Sequence, residues 1–316
     1  MIYAPILIPT LNRIEHLQRC ITSLQNNAWA KYTTLIISVD YPPGEKYIDG
    51  YKKVCEYLQY GISGFAYVDI IYQKENLGMM GNALFVQDYA KKKFDCFIWT
   101  EDDNEMSPNF IEYMDKGLEE FRYDDSIIAI CSFEGGGNPE DNKSNIALSQ
   151  NFSAHGYGIW FKKYETIQKS ITRKNFLAIA KNNKSIFKLY QYDYSLLFTL
   201  QHAIYRDMEL YCLPDGEIPW IDMTTKIYTV LNDKYVVCPR IKKIRNWGYD
   251  GSGVNCLMNK MYNAGQEFID QNKEFSFHYM NPMWIHKNHK KRTLEMEIRS
   301  LVAFIKLKIW LLLKRG

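Results

Sequence analysis

Three consecutive carboxylates, Glu101, Asp102 and Asp103, directly follow the apolar run 97–100. Their negative charges repel one another, and adjacent residues of a strand point to opposite faces, so the three side chains cannot all enter one core. A divalent cation relieves the repulsion, because one or two carboxylates can bind it while phosphate oxygens complete its coordination. The triplet therefore indicates a metal and phosphate site, with a solvated acidic turn as the alternative.

Strand-like runs alternate with helical patterns before the triplet and must position it. The strand-like runs, rich in apolar residues, are 3–9, 33–40, 66–73 and 95–100. The helical patterns between them, with apolar residues at helical spacing, are 14–24, 46–59 and 79–92. This alternation predicts an α/β fold with a mainly parallel sheet that helices cover on both faces.

Polar residues follow each of these predicted strands. Ligands of parallel α/β sheets bind beyond the carboxyl ends of the strands, so polar side chains that follow several strands are expected to meet at one rim. The rim residues are Thr10 to Arg13 after the first strand, Asp40 after the second, Asn76 to Gly78 after the third, and the acidic triplet after the fourth. The sequence therefore predicts one ligand site built from several strand ends.

The pattern after the triplet is less regular. Ser107 and Pro108 predict the start of a helix that runs to about residue 121, with the hydroxyl as cap and the proline at the first helical position. Residues 126–133 predict another strand. Residues 134–150 are rich in Gly, Asn and Asp and predict a mobile loop over the rim.

The composition favours a folded chain in a reducing compartment. Apolar residues make up 47% of the 316 residues, and the formal net charge of +3 gives no general reason to expect nucleic acid as a partner. The seven cysteines are scattered without a C-x-x-C pair, which argues against disulfides and against a zinc site. The N-terminal apolar run lacks a basic leader and a cleavage site, so we interpret it as the first strand.

The C-terminal stretch 294–316 combines apolar and basic residues. The sequence contains no run of 18 uncharged apolar residues, so a membrane-spanning helix is not expected. Leu, Ile, Phe and Trp alternate here with lysine and arginine, and no acidic residue follows Glu297. This pattern predicts an amphipathic helix that lies on the inner face of the cell membrane and makes the protein a cytoplasmic, peripheral one. The alternative is a helix docked on the protein's own core.

Segments of residues 4–110 resemble the nucleotide-sugar-binding half of GT-A glycosyltransferases, the family 2 type in particular. These segments, in matching order and spacing, are IPTLNR, SVDYPPG, ENLGMMGN and IWTEDDN. The triplet looks like the E-D-D form of that fold's D-x-D element, as found in the eukaryotic N-acetylglucosaminyltransferase that begins complex N-glycans. Later, PWIDM and the stretch 236–253 resemble a W-D-D-W-like element and a glycine turn of the family, although Ile221 and Met223 depart from the pattern.

The resemblance implies a metal-dependent donor site. Asp103 would bind a Mn²⁺ or Mg²⁺ ion, and Glu101 and Asp102 would lie nearer the ribose. His278 would be a possible further ligand, with a basic surface patch as the alternative. The cation would act as a Lewis acid on the diphosphate leaving group.

The resemblance also implies which residues contact the nucleotide. Asp40 would meet uracil or ribose, and Arg13 would lie near the base and the diphosphate. Gly78 would allow close approach of the backbone. The remaining residues assigned to the nucleotide are Pro9, Thr10, Asn12, Asn76 and Asn82.

Inverting transfer needs a carboxylate from the C-terminal half that accepts the proton of the acceptor hydroxyl. We favour Asp222, because it follows Trp220 in an apolar context that would raise its pKa, and because the family motif points to it. Asp193 is the second candidate, and Glu217 suits a loop carboxylate better. Residues 154–161, AHGYGIWF, resemble an aromatic segment near the acceptor pocket whose rings would stack on sugars, with core packing as the alternative.

Together these patterns predict a glycosyltransferase domain at 1–293, followed by the membrane-associating helix 294–316. Within the domain, 1–133 would bind the nucleotide-sugar and 134–293 the acceptor, a growing glycan or glycolipid. Two alternatives are a sugar nucleotidyltransferase and a catalytically inert, membrane-associated sugar-binding protein. The nucleotidyltransferase would normally show a glycine-rich basic loop after the first strand, which residues 9–20 do not contain.

Overall fold

The computed structural model describes residues 1–133, 144–205, 221–252, 269–280, 283, 285–286 and 294–313. Its strands are β1 (Ile6–Thr10), β2 (Thr34–Val39), β3 (Tyr67–Tyr72), β4 (Cys96–Thr100), β5 (Asn104–Met106), β6 (Ile127–Cys131), β7 (Ile146–Ser149), β8 (Gly156–Trp160), β9 (Tyr235–Pro239), β10 (Ile244–Asn246) and β11 (Ile285–His286). Its helices are α1 (Ile14–Gln25), α2 (Ile48–Gln59), α3 (Gly78–Lys91), α4 (Phe110–Glu120), α5 (Phe161–Ser170), α6 (Arg173–Lys181), α7 (Asn183–Tyr192), α8 (Ser195–Tyr205), α9 (Ile221–Leu231) and α10 (Leu294–Leu313).

Nine of these strands form one sheet in the order β11-β7-β9-β6-β8-β4-β1-β2-β3. Strands β4, β1, β2 and β3 lie side by side and pair in parallel. β8 is antiparallel to both of its neighbours, β4 and β6, and β7 is antiparallel to β9. β5 and β10 form a separate antiparallel ribbon. The prediction of a mainly parallel α/β sheet is confirmed.

Alternate residues of the central strands point into separate cores on the two faces of the sheet. In β1, Ile6 and Ile8 join the core beneath α1, α2 and α4, whereas Leu7 joins the core beneath α3 and α5 to α9. In β4, Ile98 points to the first face and Phe97 to the second. This period of two residues explains why the strands are apolar throughout, because both faces are covered by helices.

The helix α4 begins at Phe110, later than the predicted start at Ser107 and Pro108. The Ser107 hydroxyl donates to Asn109 Oδ1 at 3.0 Å, and the Ser107 backbone N–H donates to the Lys243 carbonyl at 2.8 Å. Lys243 Nζ, in a buried ion pair, also donates to Asn109 Oδ1 at 3.0 Å. The capping prediction is wrong because a residue from far along the chain organises this segment.

Part of the predicted loop 134–150 is a strand. Residues 146–149 form β7, which pairs with β9 on one side and β11 on the other. The prediction is wrong here because a long-range partner, not the local polar composition, decides the conformation of these residues. The preceding segment 134–143 lies outside the described residues.

The helix α10 packs against the body of the protein with one side and exposes an apolar stripe on the other. Leu311 is buried, Phe304 packs against the core beneath α8, and Lys308 Nζ donates to Asn183 Oδ1 at 2.7 Å. Across the described ranges, no helix combines the length and apolar character that crossing a membrane would need. The exposed apolar side chains are Leu294, Ile298, Leu301, Val302, Ile305, Ile309 and Leu312.

The carboxyl group of Asp115 in α4 is fully buried. Its Oδ1 accepts a hydrogen bond from the backbone N–H of Ala4 at 3.0 Å, and no donor among the described residues bonds to its Oδ2. Burial raises the pKa of Asp115 to about 8, although the bond from Ala4 opposes this shift. The carboxyl group therefore keeps its proton at neutral pH.

Replacing Asp115 with Asn should remove a pH dependence of stability. Because the folded-state pKa of Asp115 lies near 8, against an ordinary value of 3.8, the unfolding free energy falls as pH rises between these values. Asp115→Asn keeps an acceptor for Ala4 and cannot ionise, so the part of this fall that Asp115 causes should disappear, while the part caused by the raised pKa of Glu101 remains. Urea unfolding at about pH 5 and about pH 8 measures the difference. The control Asp95→Asn, at a side chain 89% exposed, should retain the fall, and an unchanged slope in Asp115→Asn would contradict the assignment.

Candidate active site

Hydrogen bonds link the carboxyl ends of β4, β1, β2 and β3 into one continuous rim. The Thr10 hydroxyl, at the end of β1, donates to Asp102 Oδ2 at 2.7 Å, and the Thr10 carbonyl accepts from the Asp40 N–H at 2.9 Å. Asp40 Oδ2 in turn accepts from Asn76 Nδ2 at 3.1 Å. The parallel register brings these residues together, as the sequence predicted, because parallel strands end at the same edge.

Arg13 lies between two carboxylates of the acidic triplet. Its Nη1 donates to Asp103 Oδ2 at 2.9 Å, and its Nη2 donates to Asp102 Oδ1. Burial alone would lower the pKa of the Arg13 guanidinium, but the charges of Asp102 and Asp103 raise it above the ordinary value. The ion pairs therefore hold a permanent cation against the triplet.

One arginine does not neutralise this cluster. Burial, followed by the charges of Asp103 and Asp102, raises the pKa of Glu101 to about 8, and only Arg13 among the main causes opposes the shift. Asp222 adds a further negative charge near Glu101. The rim therefore has an excess of negative charge that a cation would relieve.

The β5–β10 ribbon holds Asp103 from the other side. Asn246, in β10, donates from Nδ2 to Asp103 Oδ1 at 2.9 Å, and the Trp247 N–H donates to the Asp103 carbonyl at 2.8 Å. A Cβ on Gly248 would lie 2.3 Å from Asp103 Oδ2, so only glycine leaves space for this carboxylate. The resemblance of the stretch 236–253 to a glycine turn of the family did not single out Asn246 or Gly248.

Trp247 anchors this ribbon to α1. The Arg19 guanidinium lies 4.3 Å from the Trp247 ring centroid, and the Arg245 guanidinium lies 3.8 Å from it. Trp247 Nε1 donates to Glu105 Oε2 at 2.8 Å. These contacts hold Trp247 in place, and Trp247 lies between Asn246 and Gly248, the two residues that pack against Asp103.

Asp40 is built into the end of β2. Its Oδ1 accepts from the N–H groups of Leu77 at 2.8 Å and of Tyr41 at 2.9 Å. Burial raises the pKa of Asp40, and the backbone hydrogen bonds from Leu77, Tyr41 and Gly78 oppose this rise. Gly78 starts α3 with a φ of +70°, a conformation that favours glycine.

The other residues predicted to contact the nucleotide lie at or behind this rim. Asn82 is buried and binds the β2 backbone, with Nδ2 donating to the Ser38 carbonyl at 3.0 Å. Pro9 lies within β1 opposite Ser38. The Asn12 carbonyl is so close to Gly50 that a Cβ there would come within 2.3 Å. Asn82 is therefore bonded to the backbone of β2, and its contact with a nucleotide stays a prediction.

The donor chemistry of the rim fits a divalent cation. Within the described residues, no group of three or more His, Cys, Asp or Glu side chains is arranged to hold a metal ion. Oxygen ligands from Asp102 and Asp103 nevertheless suit Mg²⁺ or Mn²⁺, since one or two carboxylates suffice when phosphate oxygens complete the coordination. The excess negative charge around Glu101 also favours the binding of a cation.

A model of the family described as "Glycosyl transferase family 2" matches residues 6–188, more than half of the chain. This chain belongs to glycosyl transferase family 2. The prediction of a family 2 glycosyltransferase is thus confirmed at the level of the family. No curated protein matches the sequence.

Solved structures resemble this family 2 chain at low identity. TarS 1-349 of S. aureus in complex with UDP-GlcNAc has a TM-score of 0.37 and 12% identity, over 54% of this chain and 48% of that chain. The longer TarS structure of S. aureus has a TM-score of 0.36 and 11% identity, over 49% of this chain and 28% of that chain. HddC from Yersinia pseudotuberculosis has a TM-score of 0.29 and 14% identity, over 49% of this chain and 77% of that chain. The chain spans half or less of the TarS chains that it matches.

Of the candidate bases in this family 2 chain, Asp222 lies near the rim. Its negative charge contributes to raising the pKa of Glu101 and opposes the lowering of the pKa of His155. Asp222 is exposed in the first turn of α9, so the expected apolar context is wrong: the side chain faces outward from a helix start. Burial lowers the pKa of His155, although Asp103 and Asp222 oppose this.

The other predicted base and ligand residues have local roles. Asp193 is buried, and its Oδ1 accepts from the Ser195 N–H at 2.9 Å and the Ser195 hydroxyl at 2.6 Å, at the start of α8. His278 is exposed, and its backbone pairs with Asn145 at 2.8 and 3.0 Å. Its role as a metal ligand stays a prediction. Glu217 lies outside the described residues.

The aromatic segment 154–161 is part of the core. Tyr157 is 1% exposed and Trp160 is 5% exposed, because both lie in the central strand β8. The expectation that these rings stack on sugars is wrong, and the core-packing alternative is correct. A strand covered by helices on both sides has no ring face open to a ligand.

Replacing Gly248 with Ala should disturb the acidic triplet. The added Cβ would lie 2.3 Å from Asp103 Oδ2, so either the carboxylate or the ribbon must move. We expect a loss of about 1 to 3 kcal/mol in the unfolding free energy, measured by urea denaturation. Gly44→Ala is the matched control, since a Cβ at Gly44 meets no atom of the described residues within 4 Å. Equal stability of the two variants would contradict the close packing around Asp103.

Proposed function

We propose that this protein transfers a sugar from a nucleoside diphosphate sugar, a UDP-sugar in our interpretation, to a hydroxyl of a growing glycan or glycolipid. The transfer is inverting and serves the biosynthesis of a surface polysaccharide. The observation that carries the proposal is the rim of a family 2 chain on which Asp40, Arg13 and the acidic triplet meet. Residues 1–133 would bind the donor and 134–293 the acceptor.

The donor half is suited to a nucleotide with a negatively charged diphosphate. Asp103 would hold the divalent cation, and we propose Asp102 as a second ligand instead of only a residue near the ribose, because Arg13 contacts both carboxylates. When bound, the cation supplies Lewis-acid stabilisation of the leaving diphosphate. Arg13 contributes a positive charge beside these carboxylates, and its side chain is 22% exposed. Asp40, held by Tyr41 and Leu77, offers a carboxylate acceptor to the N–H or hydroxyl groups of a nucleoside.

In the proposed reaction, Asp222 accepts the proton of the acceptor hydroxyl. It is exposed at the start of α9, and its charge reaches Glu101 at the rim, so an acceptor that lies between them could contact both. Asp193 is the alternative, but its Oδ1 is already engaged by Ser195. Proton transfer to a positioned carboxylate contributes about 10²- to 10⁴-fold in rate.

Replacing Asp103 with Asn should abolish cation-dependent donor binding. In the wild type, Mn²⁺ and UDP at about 100 times the dissociation constant should raise the unfolding free energy by about 2.7 kcal/mol, which appears as a higher melting temperature. Asp103→Asn loses the charge and should show no such rise. The control Asp233→Asn, at an exposed turn, should respond like the wild type.

Two further results would go against the proposal. A wild type that responds to none of a panel of UDP- and GDP-sugars, with or without Mn²⁺, would argue against a nucleotide-sugar site. Binding without release of nucleoside diphosphate would favour the inert sugar-binding alternative. Release of inorganic diphosphate from a nucleoside triphosphate and a sugar phosphate would favour a nucleotidyltransferase.

Replacing Asp222 with Asn should separate turnover from binding. We expect kcat to fall by about 10²- to 10⁴-fold, while donor affinity stays close to that of the wild type, because the base acts on the acceptor and not on the nucleotide. Nucleoside diphosphate release and isothermal titration measure the two quantities. A fall of this size in Asp193→Asn, with Asp222→Asn unaffected, would move the role of the base to Asp193.

We also propose that α10 lies on the inner face of the cell membrane. Its exposed apolar stripe, defined above, is flanked by Arg299 and Lys306 on one side and by Lys308 on the other, which suits a surface with anionic lipid headgroups. Arg299 also pairs with Glu295 at 2.7 Å. The described cysteines are free thiols, in keeping with a reducing compartment.

Two acidic substitutions in the stripe should release the protein from vesicles. Leu301 is 57% and Ile305 is 45% exposed, so Leu301→Glu with Ile305→Glu should leave the fold intact but place charge in the apolar layer. Co-sedimentation with vesicles of phosphatidylglycerol and phosphatidylcholine measures the loss of binding. Tyr60→Glu, at a ring 92% exposed elsewhere, is the control. A wild type that ignores vesicles and forms dimers through the stripe would refute the proposal.

A further inference from the structure

The oxygens of Asp102 and Asp103 fall into two groups according to their partners. Asp102 Oδ2 accepts from the Thr10 hydroxyl at 2.7 Å, and Asp103 Oδ1 accepts from Asn246 Nδ2 at 2.9 Å. Both of these donors are neutral and belong to the strand framework. Asp102 Oδ1 and Asp103 Oδ2 are instead held by the two terminal nitrogens of Arg13.

Arg13 therefore contacts the two carboxylate oxygens, Asp102 Oδ1 and Asp103 Oδ2, to which neither Thr10 nor Asn246 donates. A divalent ion that binds these two oxygens would therefore have to share them with the guanidinium or displace it. Displacement costs the two charge-assisted pairs with Asp102 and Asp103, but the incoming ion carries twice the charge of Arg13. The guanidinium then needs another anion, and the fork that fits a carboxylate also fits a phosphate.

We propose that Arg13 is a resident counter-cation that competes with the divalent cation for Asp102 and Asp103, and that it moves onto the donor diphosphate when the cation binds. This inference rests on the proposed function. Arg13 precedes the first residue of α1, and its side chain is 22% exposed, so its movement does not require a helix or strand to shift. The cation and the nucleotide then bind cooperatively, because each favours the displaced position of Arg13.

The exchange predicts opposite effects of Arg13→Gln on two affinities. Without nucleotide, removal of the competitor should tighten Mn²⁺ binding about tenfold, equivalent to about 1.4 kcal/mol. With saturating Mn²⁺, loss of the phosphate contact should weaken UDP binding about tenfold. Electron paramagnetic resonance of free Mn²⁺ measures the first quantity on the purified full chain, and isothermal titration with UDP measures the second.

Two further variants make the experiment specific. Arg122→Gln removes the same charge from an exposed pair with Asp95, and both affinities should stay at the wild-type value. Arg13→Lys keeps the charge but loses the fork, so it should tighten Mn²⁺ binding less than Arg13→Gln. Should Arg13→Gln fail to fold by circular dichroism, any tightening in Arg13→Lys supports the exchange and an unchanged affinity overturns it.

The possible failures are distinguishable. Weaker or unchanged Mn²⁺ binding in Arg13→Gln, with normal Mn²⁺ and UDP binding in the wild type, would mean that Arg13 only holds the carboxylates in place. That result overturns the exchange and leaves the proposed function standing. If neither the wild type nor the variant binds Mn²⁺, with or without UDP, both the exchange and the proposed function are overturned.

Discussion

The repulsion among Glu101, Asp102 and Asp103 is the constraint on which the rest of the rim depends. Three carboxylates at the end of a buried strand persist in the fold only where cations and donors surround them. Arg13 supplies one charge, and Thr10 and Asn246 supply neutral donors. Burial, together with the charges of Asp103 and Asp102, nevertheless raises the pKa of Glu101 to about 8, against the opposing charge of Arg13. A cluster that remains short of positive charge is suited to binding a cation together with an anionic ligand.

Two distant parts of the chain cooperate to keep these carboxylates in place. The parallel strands β1 to β4 bring Thr10, Arg13 and the triplet to one edge. The β5–β10 ribbon then closes on Asp103, and Trp247 ties the ribbon to α1 through Arg19. The strand framework thus contacts one oxygen of each of Asp102 and Asp103, and the other oxygen of each contacts Arg13, which is partly exposed.

The second half of the chain extends the same sheet and carries α9 and α10. Because β8 inserts between β4 and β6, the triplet at the end of β4 is adjacent to elements that come much later in the chain. Asp222 thereby acts on Glu101 although the two residues are far apart in sequence. The helix α10 buries Leu311 on one side and leaves its apolar stripe open on the other, which gives the proposed membrane contact a defined orientation relative to the core.

Local patterns are enough to predict the alternation of strands and helices, the polar residues at the strand ends, and the acidic triplet with Arg13 and Asp40. These features are local, since the period of the apolar residues and the polarity of a strand end need only neighbouring positions. Other features depend on long-range contacts: Asn246 and Gly248 enclose Asp103, residues 146–149 form a strand, α4 starts at Phe110, and Asp222 is exposed. The physical reason is that strand register and close packing bring together residues more than a hundred positions apart, such as Asn246 and Asp103. A pattern of neighbouring residues does not predict which distant residues will be in contact.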